Sequence, residues 1–496
     1  MVDKDLLSIQ ETRSLVRAAR KAQAEFCPLS QERVDAVVKA VSEATAAQAD
    51  VLAAMAVEET GFGKVADKRI KNLLASQKVY AAIKDMKTIG LLCDDKIRKV
   101  MEIAVPVGVI AGIVPSTNPT STTIYKSLIS LKSGNAIVFT PHPSAKKCIA
   151  RTVEIIQGAL AACGVSTDLV SCISVPTMEG SGELMRICDL ILATGGPGMV
   201  KAAYSSGTPA LGVGAGNVPA FIERSAKIPE AVAKIMASKT FDNGTICASE
   251  QSIVTEACIA DKVRNALVAQ GGYFLEGEKL EKVKRIMERG NGTMNPQIVG
   301  RDALTIARLA GIDVPANTRL LISDEPGVGP RHPFSKEKLT ALLGFYVVND
   351  WHEACELCTK LLENCGIGHS LAIHSQNEEI IREFGLKKPV SRILVNTPST
   401  QGAVGLSTAL FPSFTLGCGT VGGSATSDNV TPMNLLNIRR VAYELDSSET
   451  WQPACGCTAA PASSCCGAAP APEQPKGSID INAITAMIVE ELKKAM

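Results

Sequence analysis

Net charge is almost absent from this sequence: 51 Lys and Arg face 50 Asp and Glu, a formal balance of +1. Without a field of one sign, the chain has no electrostatic means of gathering nucleic acid or an anionic membrane surface. An apolar leader is also missing. Met1–Asp5 is polar, so no secretory signal is expected, and the cytoplasm is the expected location. The uncharged stretch 103–125 is broken by Pro106, Pro115 and Pro119 among Ser and Thr, which suits strand and loop and not a spanning helix. His142, His332, His352 and His374 show no metal-type spacing with cysteines, and no metal site is expected. No internal repeat is evident. Cysteine, by contrast, is plentiful at 16, and Cys148, Cys163, Cys172, Cys188, Cys258, Cys355, Cys358 and Cys365 are scattered through apolar segments. That spread suits small hydrophobes in a reducing compartment better than a disulfide framework.

At 496 residues the chain is too long for one simple core, and 46% hydrophobic with 20% charged residues describes a globular protein of two or three domains. Residues 11–87 are rich in Ala, Glu, Lys and Arg and are predicted helical. From 107 the pattern alternates: strand 107–114, helix 122–132, strand 136–140, helix 145–163, strand 170–175, helix 178–187, strand 190–193 and helix 198–205. Such alternation predicts βαβ units and a mostly parallel, doubly wound sheet, with ligands at the carboxyl ends of its strands. A second α/β region is expected over 241–428, with helices 259–269, 280–289 and 352–362 and strands 319–322, 342–348 and 371–374. Residues 429–451 are expected to return to the first region. The stretch 452–476, dominated by Ala, Pro, Ser, Gly and Cys, predicts an extended linker, and 477–496 a short helix with Ile481, Ile484, Ile488 and Leu492 at helical spacing.

Cys247 stands out among the cysteines. It lies in Phe241-Asp242-Asn243-Gly244-Thr245-Ile246-Cys247, behind an Asn-Gly turn signal and just ahead of the apolar run 251–254. A loop beside a strand can present a thiolate to a cleft with its own backbone amide pointing the same way, the geometry a nucleophile needs when it must also hold an oxyanion. Nucleotide-type loops are present in unusual form. Gly212-Val213-Gly214-Ala215-Gly216-Asn217 lacks the GxGxxG spacing, while Thr194-Gly195-Gly196-Pro197-Gly198 ends a strand and opens a helix whose free amides can meet a phosphate. Tight turns at strand ends account for either stretch equally well.

Seven blocks in order resemble the aldehyde dehydrogenase superfamily, and within it the CoA-acylating branch that includes the aldehyde dehydrogenases of bacterial microcompartments. They are 105–110 with Pro115-Ser116-Thr117-Asn118-Pro119-Thr120, Lys132-Ser133-Gly134-Asn135-Ala136, the Cys247 block, Glu337-Lys338-Leu339, Gly368-His369, 393–398 and Thr415-Leu416-Gly417-Cys418-Gly419. The resemblance covers about 10–440. It implies a Rossmann-type cofactor domain (1–240, with the N-terminal helices and a bridging segment), a catalytic domain (241–428), an oligomerisation segment (429–451), a linker (452–476) and an encapsulation helix (477–496). It implies Cys247 as nucleophile, Asn118 as oxyanion donor and His369 as a helper of the CoA thiol. Glu337 is implied at the nicotinamide ribose, and Pro115, Ser116, Thr194, Gly195, Gly196, Gly214 and Gly216 around the cofactor. The expected cofactor is NAD with coenzyme A as co-substrate, and the expected assembly is a homo-dimer or tetramer. NAD over NADP rests on family habit, because no ribose-binding acid can be placed.

Hydrolytic members of that family carry a Glu-Leu-Gly-Gly-Lys block whose glutamate activates water. Here no Asp or Glu occurs between Asp189 and Glu223. Without that base a thioester survives until a thiol arrives, and a thiol is partly thiolate near neutral pH. The sequence therefore predicts acyl transfer to CoA from a short aldehyde, propionaldehyde or acetaldehyde. A hydrolytic enzyme making the free acid and a non-catalytic cargo protein are the alternatives. In the tail, Cys455, Cys457, Cys465 and Cys466 belong either to a flexible linker or to a metal site, and the terminal helix resembles the peptides that draw cargo into microcompartments.

Overall fold

The structure, a computed structural model, describes residues 3–289 and 293–445. The linker expected over 452–476, with Cys455, Cys457, Cys465 and Cys466, and the helix expected over 477–496 lie outside the described residues. Helices come first. Lys4–Phe26 starts on Asp3, whose side chain accepts from the Asp5 amide, and Gln31–Ala47 starts on Ser30, which accepts from the Arg33 amide. Ala49–Thr60 ends on Gly61 in the left-handed conformation (φ 69°), and Val65–Leu73 follows after a short loop.

Strands β1 (Gly90–Asp95) and β2 (Val100–Pro106) form a hairpin. Helices then alternate with β3 (Val109–Val114), β4 (Ala136–Pro141), β5 (Val170–Cys172), β6 (Leu190–Thr194) and β7 (Ala210–Val213). The series continues through β8 (Val218–Ile222), β9 (Glu250–Glu256), β10 (Gly272–Leu275) and β11 (Leu320–Asp324). It ends with β12 (Leu342–Val348), β13 (Gly368–His374), β14 (Val390–Val395) and β15 (Leu436–Ala442). One sheet runs β5-β4-β3-β6-β7 and a second β10-β11-β12-β9-β8-β13-β14, both parallel throughout, while β1-β2-β15 is antiparallel. The expected α/β architecture with a Rossmann-type sheet is what forms. Between β3 and β6 the strand order reverses, which opens a crevice at their carboxyl ends.

Both faces of the seven-stranded sheet are buried. Ala220, Ile222 and Ile253 pack into one apolar cluster, while the intervening Phe221 and Val254 pack into another, as a period of two requires. Pattern reading misses β1, β2 and β15, because charges such as Asp94, Asp95, Arg439 and Arg440 on half-exposed strands look like loop. It also misses β7 and β8, whose apolar runs are interrupted by Gly212 and Pro219. Pro219 is accommodated by a register shift between Val218 and Pro219 where β8 pairs with β9. The expected boundary at 240/241 moves as a result: β8 and the helix Ile228–Thr240 serve the second sheet, so the change falls between Val213 and Val218. The return to the first core also comes earlier than 429, since Ala403, Phe414 and Leu416 already pack in the cluster that holds Ile110 and Tyr125.

Candidate active site

The approach to Cys247 is built from backbone that most residues avoid. Asp242 (φ 48°), Asn243 (φ 51°) and Gly244 (φ 75°) are left-handed in succession, a conformation that short polar residues and glycine tolerate best. Side chains fasten this turn. Asn243 Nδ2 donates to Gly300 O (2.9 Å), and the buried Asp242 carboxylate accepts from the Lys64 amide (2.7 Å), Lys68 Nζ (3.0 Å), Thr245 Oγ1 (2.7 Å) and Lys71 Nζ. Three residues after Gly244, and three before β9, the half-buried Cys247 reaches a cavity.

That cavity measures about 570 Å³ and follows the carboxyl ends of β3, β4 and β6. Cys247, Asn118, Glu337, Pro115, Ser116, Thr194, Gly195, Gly196 and Gly214 all line it. Residues separated by up to 222 positions are thus brought to one wall. Pattern reading did not foresee Thr140 near the end of β4, His142 and Pro143 just after it, or Thr177 and Met178, all of which line the cavity, although the end of β4 is the signal that marks the first three. The donor set fits a nucleotide cofactor. Among the described residues Thr194 Oγ1 is buried without a partner, and a Cβ added at Gly196 or Gly214 would meet nothing within 4 Å. Gly196 also opens the helix Pro197–Ser205, which has no side-chain cap; Pro197 has no N–H and the Met199 and Val200 amides turn back to Gly196 O, which leaves the Gly198 amide to face an anion.

Asn118 precedes the helix Pro119–Lys132 but makes no capping bond to it. Its Oδ1 accepts from Lys71 Nζ (2.6 Å), and its Nδ2 donates to Thr245 O (3.1 Å), two residues from the cysteine. Glu337 Oε1 accepts from the Gly216 amide (2.9 Å). The segment without acids is therefore not an environment without them: folding brings Glu337 to it across 121 residues.

Gly216 and His369 do not line the cavity. A Cβ at Gly216 would fall 1.9 Å from Cys247 O and 3.2 Å from His369 Cδ2, so this glycine is the wall between them. His369 is fully buried, its Nδ1 is hydrogen-bonded to Ser370 Oγ (3.0 Å), and its Nε2 has no protein partner among the described residues. Burial, then the Arg392 charge, pushes its imidazole down to about 3, so the ring is neutral.

Burial pushes the Cys247 thiol up to about 12, and the neighbouring Glu337 carboxylate adds to the rise. Glu337 is itself raised to about 7 by burial. Above about pH 7 Glu337 carries its charge and opposes the thiolate, so Glu337→Gln should lower the thiol pKa and speed alkylation of Cys247 by roughly three- to tenfold. The pH profile of iodoacetamide inactivation checks this, and a profile that does not move would show the two groups uncoupled.

Residues 6–283 match the Aldehyde dehydrogenase family. The chain belongs to that family. It is 47% identical over 447 residues to the bifunctional aldehyde-alcohol dehydrogenase AdhE of Escherichia coli, covering 89% of this chain and 50% of that protein. The chain thus spans about half the length of the curated relatives it matches first. An acetylating aldehyde dehydrogenase from Geobacillus thermoglucosidasius superposes with a TM-score of 0.89 at 50% identity, over 90% of this chain and 99% of that one. A propionaldehyde dehydrogenase from the Clostridium phytofermentans fucose utilisation bacterial microcompartment superposes with a TM-score of 0.79 at 30% identity, over 87% and 97%. As an aldehyde dehydrogenase family member, the chain keeps its buried lysines as a feature that the sequence blocks did not reveal. Lys126, for one, donates to both Ile113 O and Leu192 O (2.7 Å each), tying β3 to β6 at the crevice. Among the described residues no helix is long and apolar enough to cross a membrane.

Proposed function

We propose that the chain is a CoA-acylating aldehyde dehydrogenase that oxidises a short aliphatic aldehyde, propionaldehyde or acetaldehyde, to its acyl-CoA with reduction of NAD. The observation that carries this reading is the meeting of Cys247, Asn118 and Glu337 on one cavity at the switch point of a Rossmann-type sheet. In this reading Cys247 Sγ adds to the aldehyde carbonyl, and Asn118 Nδ2–H with the Cys247 backbone N–H holds the oxyanion. Bound in the cavity, the nicotinamide cofactor supplies a hydride acceptor. Thr194, Gly195, Gly196 and Gly214 would hold its phosphates, Pro115 and Ser116 would flank it, and Glu337 would meet its ribose. Cys247 is left as a thioester.

Among the described residues Glu337 is the one carboxylate that lines this cavity, and one of its oxygens is already engaged by the Gly216 amide. In this reading the carboxylate is committed to the cofactor ribose and no acid of 190–222 takes the place of a water-activating glutamate, while a thiol needs little help. Cofactor and CoA share the cavity in turn, so NADH leaves before CoA attacks. Acyl-CoA and free acid measured with and without CoA, using NAD and NADP in parallel, test the reading. Thioester should dominate when CoA is present, and turnover should stall without it. Free acid formed at an equal rate without CoA would turn the assignment to a hydrolytic enzyme.

Residence inside a bacterial microcompartment belongs to the same proposal. It is supported by the helical spacing in 477–496 and by the likeness to an enzyme from such a compartment. Deleting 477–496 should abolish co-assembly with shell proteins and leave activity intact; undiminished co-assembly would remove the helix from this role. Assembly as a homo-dimer or tetramer is supported by the β1-β2-β15 sheet, where Ile97 in the hairpin turn is 91% exposed.

A further inference from the structure

An asparagine that serves as an oxyanion donor must present its nitrogen and not its oxygen, and the two ends of a carboxamide have nearly the same shape. Something must choose between them. At Asn118 the choice is made by Lys71, whose Nζ lies 2.6 Å from Oδ1. An ammonium has donors only, so it accepts the oxygen end and turns Nδ2 toward the Cys247 loop, where it meets Thr245 O at 3.1 Å.

Lys71 is held with little freedom. It is 2% exposed and paired with Asp242, itself 0% exposed, and its Nζ also approaches Thr245 Oγ1 (3.4 Å) and, at 5.7 Å, the centre of the Phe241 ring. One turn earlier on the same helix, Lys68 Nζ donates to Asp242 Oδ2 (3.0 Å) and to Thr117 O (2.9 Å). Two lysines on one helix face therefore clasp the Thr117-Asn118 segment to the Asp242–Thr245 turn that leads to Cys247. Gly63 leaves room for the clasp, since a Cβ there would sit 1.8 Å from Asp242 Oδ1.

Ion pairs this deeply buried add little to stability over well-packed apolar side chains, because both partners lose their hydration. Precise orientation is the benefit they offer. A cation on Oδ1 also draws electron density from the amide, which makes Nδ2–H a stronger donor.

We propose that Lys71, held by Asp242, is a positioning residue that orients and polarises the Asn118 amide toward the oxyanion at Cys247. This rests on the reading of Asn118 as the oxyanion donor. The test is a double-mutant cycle of Lys71→Met and Asn118→Ala, read as kcat for CoA-dependent aldehyde oxidation. Lys71→Met alone should lower kcat by roughly 10- to 100-fold with the aldehyde KM within about twofold, and should cost less than about twofold more when Asn118 is already alanine. Lys71→Gln, which keeps a donor without the charge, should fall between wild type and Lys71→Met.

Alkylation of Cys247 by iodoacetamide is the control. It develops no oxyanion for Asn118 to hold, and burial and Glu337, not Lys71, are the main influences on the thiol, so its rate should stay near wild type in both Lys71 variants. Three results would each overturn the proposal: wild-type kcat in Lys71→Met, an undiminished penalty for Lys71→Met in the Asn118→Ala background, or a parallel fall in alkylation rate that marks general damage. If Lys71→Met does not fold, Lys71→Gln enters the cycle in its place under the same criteria. Should Asn118→Ala itself leave kcat unchanged, the oxyanion reading of Asn118 fails, and that outcome is distinct from additivity.

Discussion

Cys247→Ala is expected to abolish aldehyde-dependent NADH formation, by about 10⁴-fold or more, while the protein stays folded. The size of the effect follows from covalent catalysis. Among the described residues no other cysteine lines the cavity to take over the attack on the carbonyl. Retention of the fold follows from the modest change in volume: a half-buried thiol replaced by a methyl leaves a small gap beside solvent-accessible space. Turnover measured beside circular dichroism and thermal unfolding checks both parts. NADH production within about tenfold of wild type in a folded Cys247→Ala protein would place the chemistry elsewhere. If the wild type itself made no NADH from any C2 to C5 aldehyde, the non-catalytic cargo reading would gain ground.

Asn118→Ala carries the second-largest expected effect. Loss of one preorganised oxyanion donor lowers kcat by about 10²- to 10³-fold, because the donor acts on charge that develops only in the transition state. The aldehyde KM should change little for the same reason. The helix Pro119–Lys132 does not depend on this side chain, since Asn118 makes no capping bond to it. The structural cost falls on Lys71, which loses the Oδ1 acceptor but keeps Asp242, and on Thr245 O, which loses the Nδ2 donor. Single-turnover formation of NADH, compared with the rate of Cys247 alkylation, separates a lost donor from a disturbed thiol. Equal losses in both would mean that Asn118 shapes the loop and does not serve the oxyanion.

Much of this site can be read from chain order because its parts are local. A left-handed turn favours Asp-Asn-Gly chemistry, and a glycine pair between a strand and a proline-started helix marks a strand end, so the Cys247 block and Thr194-Gly195-Gly196 announce themselves. Glu337 was harder to read. It lies in Lys336-Glu337-Lys338, which looks like a solvated charge run, yet Glu337 lines the cavity and Lys338 is fully buried, donating to Lys336 O (2.7 Å). The lysines behind Asn118 gave no local sign at all. Val65–Leu73 has the composition of a surface helix, and Lys71 finds Asp242 across 171 residues.

The sequence by itself determined the alternation of strands and helices, the turn that presents Cys247, and the lack of a neighbouring acid before Glu223. Each is set by the conformational preferences of residues close in the chain. Tertiary structure alone decided which polar groups face one another. It returned Glu337 to the acid-free segment, placed His369 behind Gly216 and not on the cavity, and buried Lys68 and Lys71 against Asp242 beneath Asn118. A charge shows its type in the sequence, but whether water or another charge surrounds it depends on packing between segments far apart, which no local pattern records.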